Sequence, residues 1–193
     1  LKEIRQMKKK SNYQKLFNLC SKLMLEVVEG KKPVIAKVHG AAFAAGCQLV
    51  ASCDLAVSSD DAIFATPGVN IGLLYSTTIV AVSRKVSRKR TMKMLLTGDQ
   101  IGAKYAKEIG LINDHYPILK LEEETLKLAE NIASKSNLLI KIGKKAFYKQ
   151  LEMPLNRAYN YTSKVMTENA MSLDVQEGIS AFLEKRKPNW KNK

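Results

Sequence analysis

The hydrophobic and polar positions divide the chain into a helix, a compact strand-rich stretch, and a long helical remainder. From residue 1 to 29, Leu16, Leu19, Leu23 and Val27 recur at three- and four-residue spacings with Phe17 and Met24 beside them. That period predicts one amphipathic helix stopped by Gly30. Pro33 to His39 is a run of β-branched and small residues bounded by Pro33 and Gly40, the pattern of a buried strand. The segment Ala41 to Gly46 is almost all small, and residues 45–53 have helical composition. Residues 54–58 and 63–65 read as two further short strands. Strand, helix and strand joined by short links predict a βαβ arrangement with parallel pairing.

From Thr77 onward the period is helical. Ile79, Val80, Val82 and Val86 form one stripe; Met92, Met94, Leu95 and Leu96 form another, ended by Gly98. A short helix over 101–109 closes at Gly110, and 111–116 is an extended segment stopped by Pro117. Longer helices are predicted over 121–135, 136–150 and 154–171, with a last one over 173–186 before Pro188. The whole is an α/β chain, divided into a strand-bearing part over 1–118 and a helical part over 119–193. No low-complexity linker or 20–50-residue repeat interrupts it.

Composition narrows the classes. The 193 residues suffice for a sizeable core, and 46% hydrophobic with 26% charged residues is ordinary for a globular protein. No apolar run approaches the ~20 residues a membrane span needs. Position 1 is Leu and not Met, so targeting is not readable here. Cys20, Cys47 and Cys53 are odd in number and form no C-x-x-C, which argues for a reducing compartment. Two histidines, His39 and His115, without a metal-binding spacing argue against a metal site. The net charge of +14 suits a polyanionic partner. Nucleic acid is one candidate, but the cations are spread along the chain without a nucleic-acid-binding motif. A nucleotide-bearing cofactor such as coenzyme A, with about four phosphate charges, is another. A solvated Lys-rich surface is the plain alternative.

The candidate chemistry lies where the first strand turns into a helix. Small side chains at 41–46 let a ligand approach the backbone, and the first turn of a helix has N–H groups without internal partners. Those donors and the helix dipole suit an anion or a carbonyl oxygen gaining charge. Tight strand–helix packing with no ligand is the competing reading. Cys47, at the same helix start, is either a thiol of lowered pKa or a small core residue; no histidine is evidently placed as its base, which favours the core. Asp54 reads as a structural residue at a strand start, and Asp60 and Asp61 as solvated turn residues.

Several segments resemble one family. His39-Gly40, Ala45-Gly46-Cys47, Cys53-Asp54, Phe64-Ala65-Thr66-Pro67, Leu96-Thr97-Gly98, AKEIGL over 106–111, and 177–188 (EGISAFLEKRKP) follow in order the signature of the enoyl-CoA hydratase/isomerase (crotonase) family. In detail they resemble its subgroup of mitochondrial enoyl-CoA hydratase domain-containing proteins and their bacterial relatives. The resemblance implies a crotonase-like spiral of ββα turns followed by a helical C-terminal region that makes trimers. It also implies that this chain starts late in that fold, with the earlier strands and the loop carrying one oxyanion donor ahead of Leu1.

The resemblance implies further that an acyl-CoA thioester carbonyl is held by backbone N–H groups, with Ala45 at the position of the second donor and Gly46 beside it. No cofactor is expected beyond the coenzyme A carried by the substrate. Hydratases of the family use two glutamates; the matching positions here are Gln48 and Gly68, neither acidic. The acid used by isomerase relatives matches Ser76, and nearby Asn70 is also neutral. Cys47, Val69, Tyr75 and Ser76 are the expected substrate-lining residues. Phe182 and Lys185, three apart and read as one helix face, match residues that hold coenzyme A, often from a neighbouring subunit. The expectation is therefore an acyl-CoA binder of fatty-acid metabolism with weak or absent hydratase activity, assembled as a homotrimer or a hexamer of two trimers, in a mitochondrial matrix or bacterial cytoplasm. An active hydratase or isomerase using another acid is the alternative, and a nucleic-acid binder is the third reading.

Overall fold

The computed structural model describes residues 2–192. They form two compact units, one of residues 2–28 with 34–125 and one of residues 29–33 with 126–192.

The first unit opens with α1 (Lys2–Gln6) and α2 (Lys10–Glu29). The single helix expected over 1–29 is thus broken at Met7–Lys9, and its first residue lies outside the described residues. A side chain spans the break: the Tyr13 hydroxyl donates to the Met7 carbonyl at 2.7 Å and lies 3.2 Å from the Ile4 carbonyl oxygen.

The strands follow as β1 (Ile35–Val38), β2 (Ala41–Phe43), β3 (Leu55–Ser59) and β4 (Ile63–Ala65), with α3 (Ala45–Ser52) between β2 and β3. Next come α4 (Ser76–Val82), α5 (Arg88–Thr97), β5 (Ile101–Gly102), α6 (Ala103–Glu108) and β6 (Asp114–Tyr116). A 3₁₀ turn over Pro67–Ile71 links β4 to the loop before α4. The strands make two sheets, β1-β3-β6 and β2-β4-β5. β1 pairs parallel with β3 and β3 with β6, while β2 pairs parallel with β4 and only β4–β5 is antiparallel. The expected parallel βαβ unit is β1, α3 and β3. The small-residue segment after Gly40 differs from expectation: Ala41–Phe43 is a strand, in register with Ile63–Ala65. Small side chains let it lie close to its neighbours, and Gly40 turns into it with φ 69°.

The buried core of this unit includes Val38, Val50, Phe64, Val82, Met94 and Leu111. Polar residues fasten its edges. Asp54 accepts from the Val34 N–H at 2.7 Å, which ties the start of β3 to the approach to β1, the structural role expected of it. Asn113 holds Ala56 from both sides, accepting its N–H at 2.8 Å and donating to its carbonyl at 2.7 Å. Asp60 is not simply solvated: its carboxylate meets His115 Nδ1 at 2.5 Å, across the β3–β6 edge.

Helix α7 (Ile118–Ala133) runs into the second unit, which continues with α8 (Asn137–Leu151), α9 (Leu155–Ala170) and α10 (Leu173–Leu183). All four helices were legible from periodicity. Ser136 and Ser172 cap α8 and α10 through their side chains. After α10 the chain folds back as a strap. Asp174, at the start of α10, accepts from Ser136 Oγ and from the N–H groups of Lys191 at 2.6 Å and Asn192 at 2.9 Å. Trp190 lies against Gly178 and donates from Nε1 to the Ser134 carbonyl at 2.8 Å.

Candidate functional site

The junction between β2 and α3 carries the first half of the site. Ala44 precedes the helix with φ 53° and ψ −117°, a conformation that favours glycine. Its own N–H is bonded to the Ala65 carbonyl at 3.0 Å and its carbonyl accepts from Gln48 N–H at 3.0 Å. The sharp turn at Ala44 leaves the N–H groups of Ala45, Gly46 and Cys47 as the opening of α3. They have no backbone partner among the described residues, and Ala45 and Gly46 are exposed. These donors are positioned for an anionic or polarised oxygen.

Cys47 contributes its backbone only. Its side chain is fully buried in the core, and that burial pushes the thiol up to about 12. A helix start would lower a thiol pKa, but loss of water decides here.

Gln48 is 4% exposed. Its Oε1 gathers three long hydrogen bonds, from Thr78 Oγ1 at 3.4 Å, Thr77 Oγ1 at 3.5 Å and Cys20 Sγ at 3.7 Å. Thr77, Thr78 and Cys20 were not singled out by sequence. Cys20 lies on α2, with no local signal linking it to position 48; the threonines open α4 without any motif of their own.

Gly68 is buried in the 3₁₀ turn. A Cβ placed there would lie 2.0 Å from the Leu73 carbonyl oxygen and 2.9 Å from ring atoms of Tyr75. The Gly68 carbonyl also accepts from Leu73 N–H at 2.9 Å, which holds that loop against it. Tyr75 is half-buried and directly precedes α4. Ser76, the first residue of α4, is exposed and donates to the Leu74 carbonyl at 3.3 Å. Val69 is partly exposed and lies next to Gly98, whose φ of 68° ends α5; a Cβ on Gly98 would be 3.1 Å from a Val69 methyl. The Leu96-Thr97-Gly98 motif thus has a steric reason.

The first unit therefore brings Gln48 together with Thr77 and Thr78, and Gly68 together with Tyr75. Phe182 and Lys185 belong to the second unit, and they do not share one helix face as expected. α10 ends at Leu183, and Lys185 takes a left-handed conformation with φ 55°. Lys185 N–H bonds the Phe182 carbonyl at 3.2 Å and Arg186 N–H bonds the Ala181 carbonyl at 3.0 Å. That pair of bonds is a Schellman ending, usually built on glycine. Phe182 is 82% exposed. Arg186 then grips Glu177 with both guanidinium branches, at 2.6 and 3.0 Å. The Arg186 bonds, with a further one from Asn189 N–H, lower the Glu177 pKa to about 2. Among the described residues no group of three or more His, Cys, Asp or Glu could hold a metal ion, and no helix is long and apolar enough to cross a membrane.

Known proteins share this fold. The family profile described as enoyl-CoA hydratase/isomerase matches residues 1–193. The human enoyl-CoA hydratase domain-containing protein 3, mitochondrial, is 48% identical over 190 residues, covering 98% of this chain and 63% of the human protein. The chain thus spans under two thirds of that relative's length. The crystal structure of that human protein superposes with a TM-score of 0.90 at 50% identity, covering 92% of this chain and 70% of the human one. An enoyl-CoA hydratase from Mycobacterium smegmatis superposes with a TM-score of 0.96 at 45% identity, covering 98% of this chain and 74% of the bacterial one. The fold is crotonase-like, and the detailed similarity is to the domain-containing subgroup. By profile, by sequence and by superposition, the chain belongs to the enoyl-CoA hydratase/isomerase family.

Proposed function

We propose that this protein binds an acyl-CoA thioester at the Ala45–Gly46 turn and has little or no enoyl-CoA hydratase activity. The N–H groups opening α3 would receive the thioester oxygen, each such donor contributing about 3–4 kcal/mol to a developing oxyanion. The resemblance makes the Ala45 N–H the second donor of a pair. Hydration also needs groups that move protons and activate water. At the two positions the resemblance assigns to them stand a neutral amide, Gln48, and Gly68. The observation that carries this reading is the closed space at Gly68: the Leu73 carbonyl and the Tyr75 ring leave no room for an acidic side chain there.

An active hydratase or isomerase would need another acid. Three aspartates of the first unit are engaged elsewhere: Asp54 with Val34 N–H, Asp60 with His115, and Asp114 with Lys107 at 2.7 Å. The +14 net charge fits the phosphates of coenzyme A as well as it fits nucleic acid. The mitochondrial names of the relatives and the three free cysteines fit a reducing matrix; a bacterial cytoplasm and a place in fatty-acid metabolism rest on the family resemblance. Assembly as a homotrimer would cover apolar residues left exposed in the second unit, such as Phe147, Leu155 and Phe182.

The test is an acyl-CoA titration and a crotonyl-CoA hydration assay on the full-length protein. Micromolar binding with turnover orders of magnitude below an ordinary hydratase is expected. Turnover equal to that of an ordinary hydratase overturns the reading, and so does salt-sensitive binding of duplex DNA or RNA without any acyl-CoA binding.

A further inference from the structure

The outward face of α5 carries a pattern that neither the core nor the turn before α3 uses. Between Asp61 and Asp99 the sequence holds no acidic residue and six cations: Arg84, Lys85, Arg88, Lys89, Arg90 and Lys93. Arg88, Lys89 and Arg90 stand in the first turn of α5 with no acid beside them. That end of a helix dipole is positive, so cations there weaken their own helix. Ser87, at the cap, does not offset this through its side chain.

The opposite face of α5 is fixed to the core by Thr91, Met94 and Leu95, which are buried. On the outward face two rows stand side by side, Arg88–Met92–Leu96 and Lys89–Lys93, each at a four-residue spacing. All five residues are exposed, Met92 and Leu96 by half or more. The side chains of Arg88, Lys89 and Lys93 have no partner among the described residues. Arg90, by contrast, donates to the Glu108 carbonyl at 3.2 Å.

A partner for this face must be anionic and must also take up two apolar side chains. Single-stranded nucleic acid meets only the first requirement. It is held by stacking on aromatic rings, and no Phe, Tyr or Trp stands between Tyr75 and Tyr105. A bilayer surface containing anionic lipid meets both: its headgroups attract the cations, and the boundary with its acyl chains receives the apolar residues.

We propose that the outward face of α5 docks the protein peripherally on an anionic phospholipid surface. Arg88, Lys89 and Lys93 meet the headgroups, and Met92 and Leu96 enter the interface between them. The contact lies in the plane of the surface and needs no spanning segment. It goes beyond the acyl-CoA reading and does not depend on it. Each cation near such a surface contributes about five-fold to the partition, so the three together contribute about 100-fold. Partial burial of Met92 and Leu96 adds about ten-fold or more.

The experiment is flotation of the full-length protein with vesicles of phosphatidylcholine, alone and mixed with phosphatidylserine. Binding to the mixed vesicles only is expected, weakening as salt rises. The triple variant Arg88→Gln, Lys89→Gln and Lys93→Gln should lose about 100-fold in partition. It should fold at least as well as the unaltered protein, since it removes charge from the positive end of α5. The double variant Met92→Ser with Leu96→Ser should lose about ten-fold or more and leave the salt dependence in place. Acyl-CoA binding, measured on the same preparations, should be unchanged in both variants. Equal binding to the two kinds of vesicle overturns the proposal, as does full binding by the triple variant. Unchanged binding by the double variant also overturns it, because the apolar residues then do not enter the interface. Binding of RNA or duplex DNA with none to vesicles overturns it in favour of a nucleic-acid partner.

Discussion

Tyr75 and Gly68 share one space: the tyrosine ring and the Leu73 carbonyl lie where a side chain at position 68 would begin. The backbone of Gly68 has no positive φ, so the obstacle to substitution is room alone. Gly68→Glu, alone or with Gln48→Glu, is expected to leave crotonyl-CoA hydration unrestored. It should also destabilise the fold by about 1–3 kcal/mol through overpacking. Denaturant melts and a hydration assay on the same preparations check both halves.

Ala44 holds a glycine-like conformation with a side chain attached. Ala44→Gly should relieve about 1–3 kcal/mol of backbone strain. For a chain of this size each kcal/mol raises the thermal midpoint by about 2–4 °C. A midpoint that stays still or falls would mean that Ala44 is not strained.

The three cysteines should react in a set order. Cys47 and Cys53 are buried, and burial alone raises the Cys47 thiol to about 12; Cys20 is half-buried. Alkylation at pH 8 followed by peptide mass mapping should label Cys20 first in the folded protein, and all three only in denaturant.

The strap after α10 should be acid-sensitive. The carboxylate of Glu177 ordinarily titrates near 4.5, and its bonds from Arg186 and Asn189 N–H lower that to about 2. A depressed folded-state pKa stabilises above the unfolded value. That contribution is whole above pH 4.5 and is lost as pH falls toward 2. Trp190, the chain's one tryptophan, lies on the strap and reports its release. Its fluorescence should change across this window. Glu177→Gln should show a looser strap at neutral pH and a smaller acid-induced change, the remainder coming from Asp174, whose carboxylate holds the Lys191 and Asn192 N–H groups.

Assembly is the fifth expectation. No residue of α8 is buried, and Leu151, Leu155, Tyr159, Met166, Phe182 and Leu183 are each more than half exposed. Light scattering on the full-length protein should give a trimer or a hexamer. A monomer persisting at tens of micromolar, with acyl-CoA bound, would overturn this.

Much of this architecture was legible because its signals are local. The 3.6-residue period gave α7 to α10 to within about three residues at each end, and the Pro33 and Gly40 punctuation bracketed β1. The features that escaped depend on partners far along the chain. Ala41–Phe43 has no strand signature; it is a strand because Ile63–Ala65 lies beside it. The break at Met7–Lys9 is spanned by the Tyr13 hydroxyl, a contact that no local period announces. The neutral residues at 48 and 68 were readable, but not the three donors on Gln48 nor the Tyr75 ring that closes position 68. Lys185 misled because a helical spacing was continued one turn past the Schellman ending of α10.

The sheet order also bears on how the chain is made. Except for the two residues of β5, each strand pairs in parallel with a partner reached across a long connection, and Val57 waits for Asp114. Loop-closure entropy makes such pairings slow to form, whereas helices form from nearby residues alone. On the ribosome, β3 has its β1 neighbour early but no cover on its other edge until Tyr116 has emerged. An uncovered parallel edge is a template for another chain. Stalling or truncation ahead of residue 114 should therefore yield aggregating nascent protein, whereas a chain cut after β6 would have that edge closed.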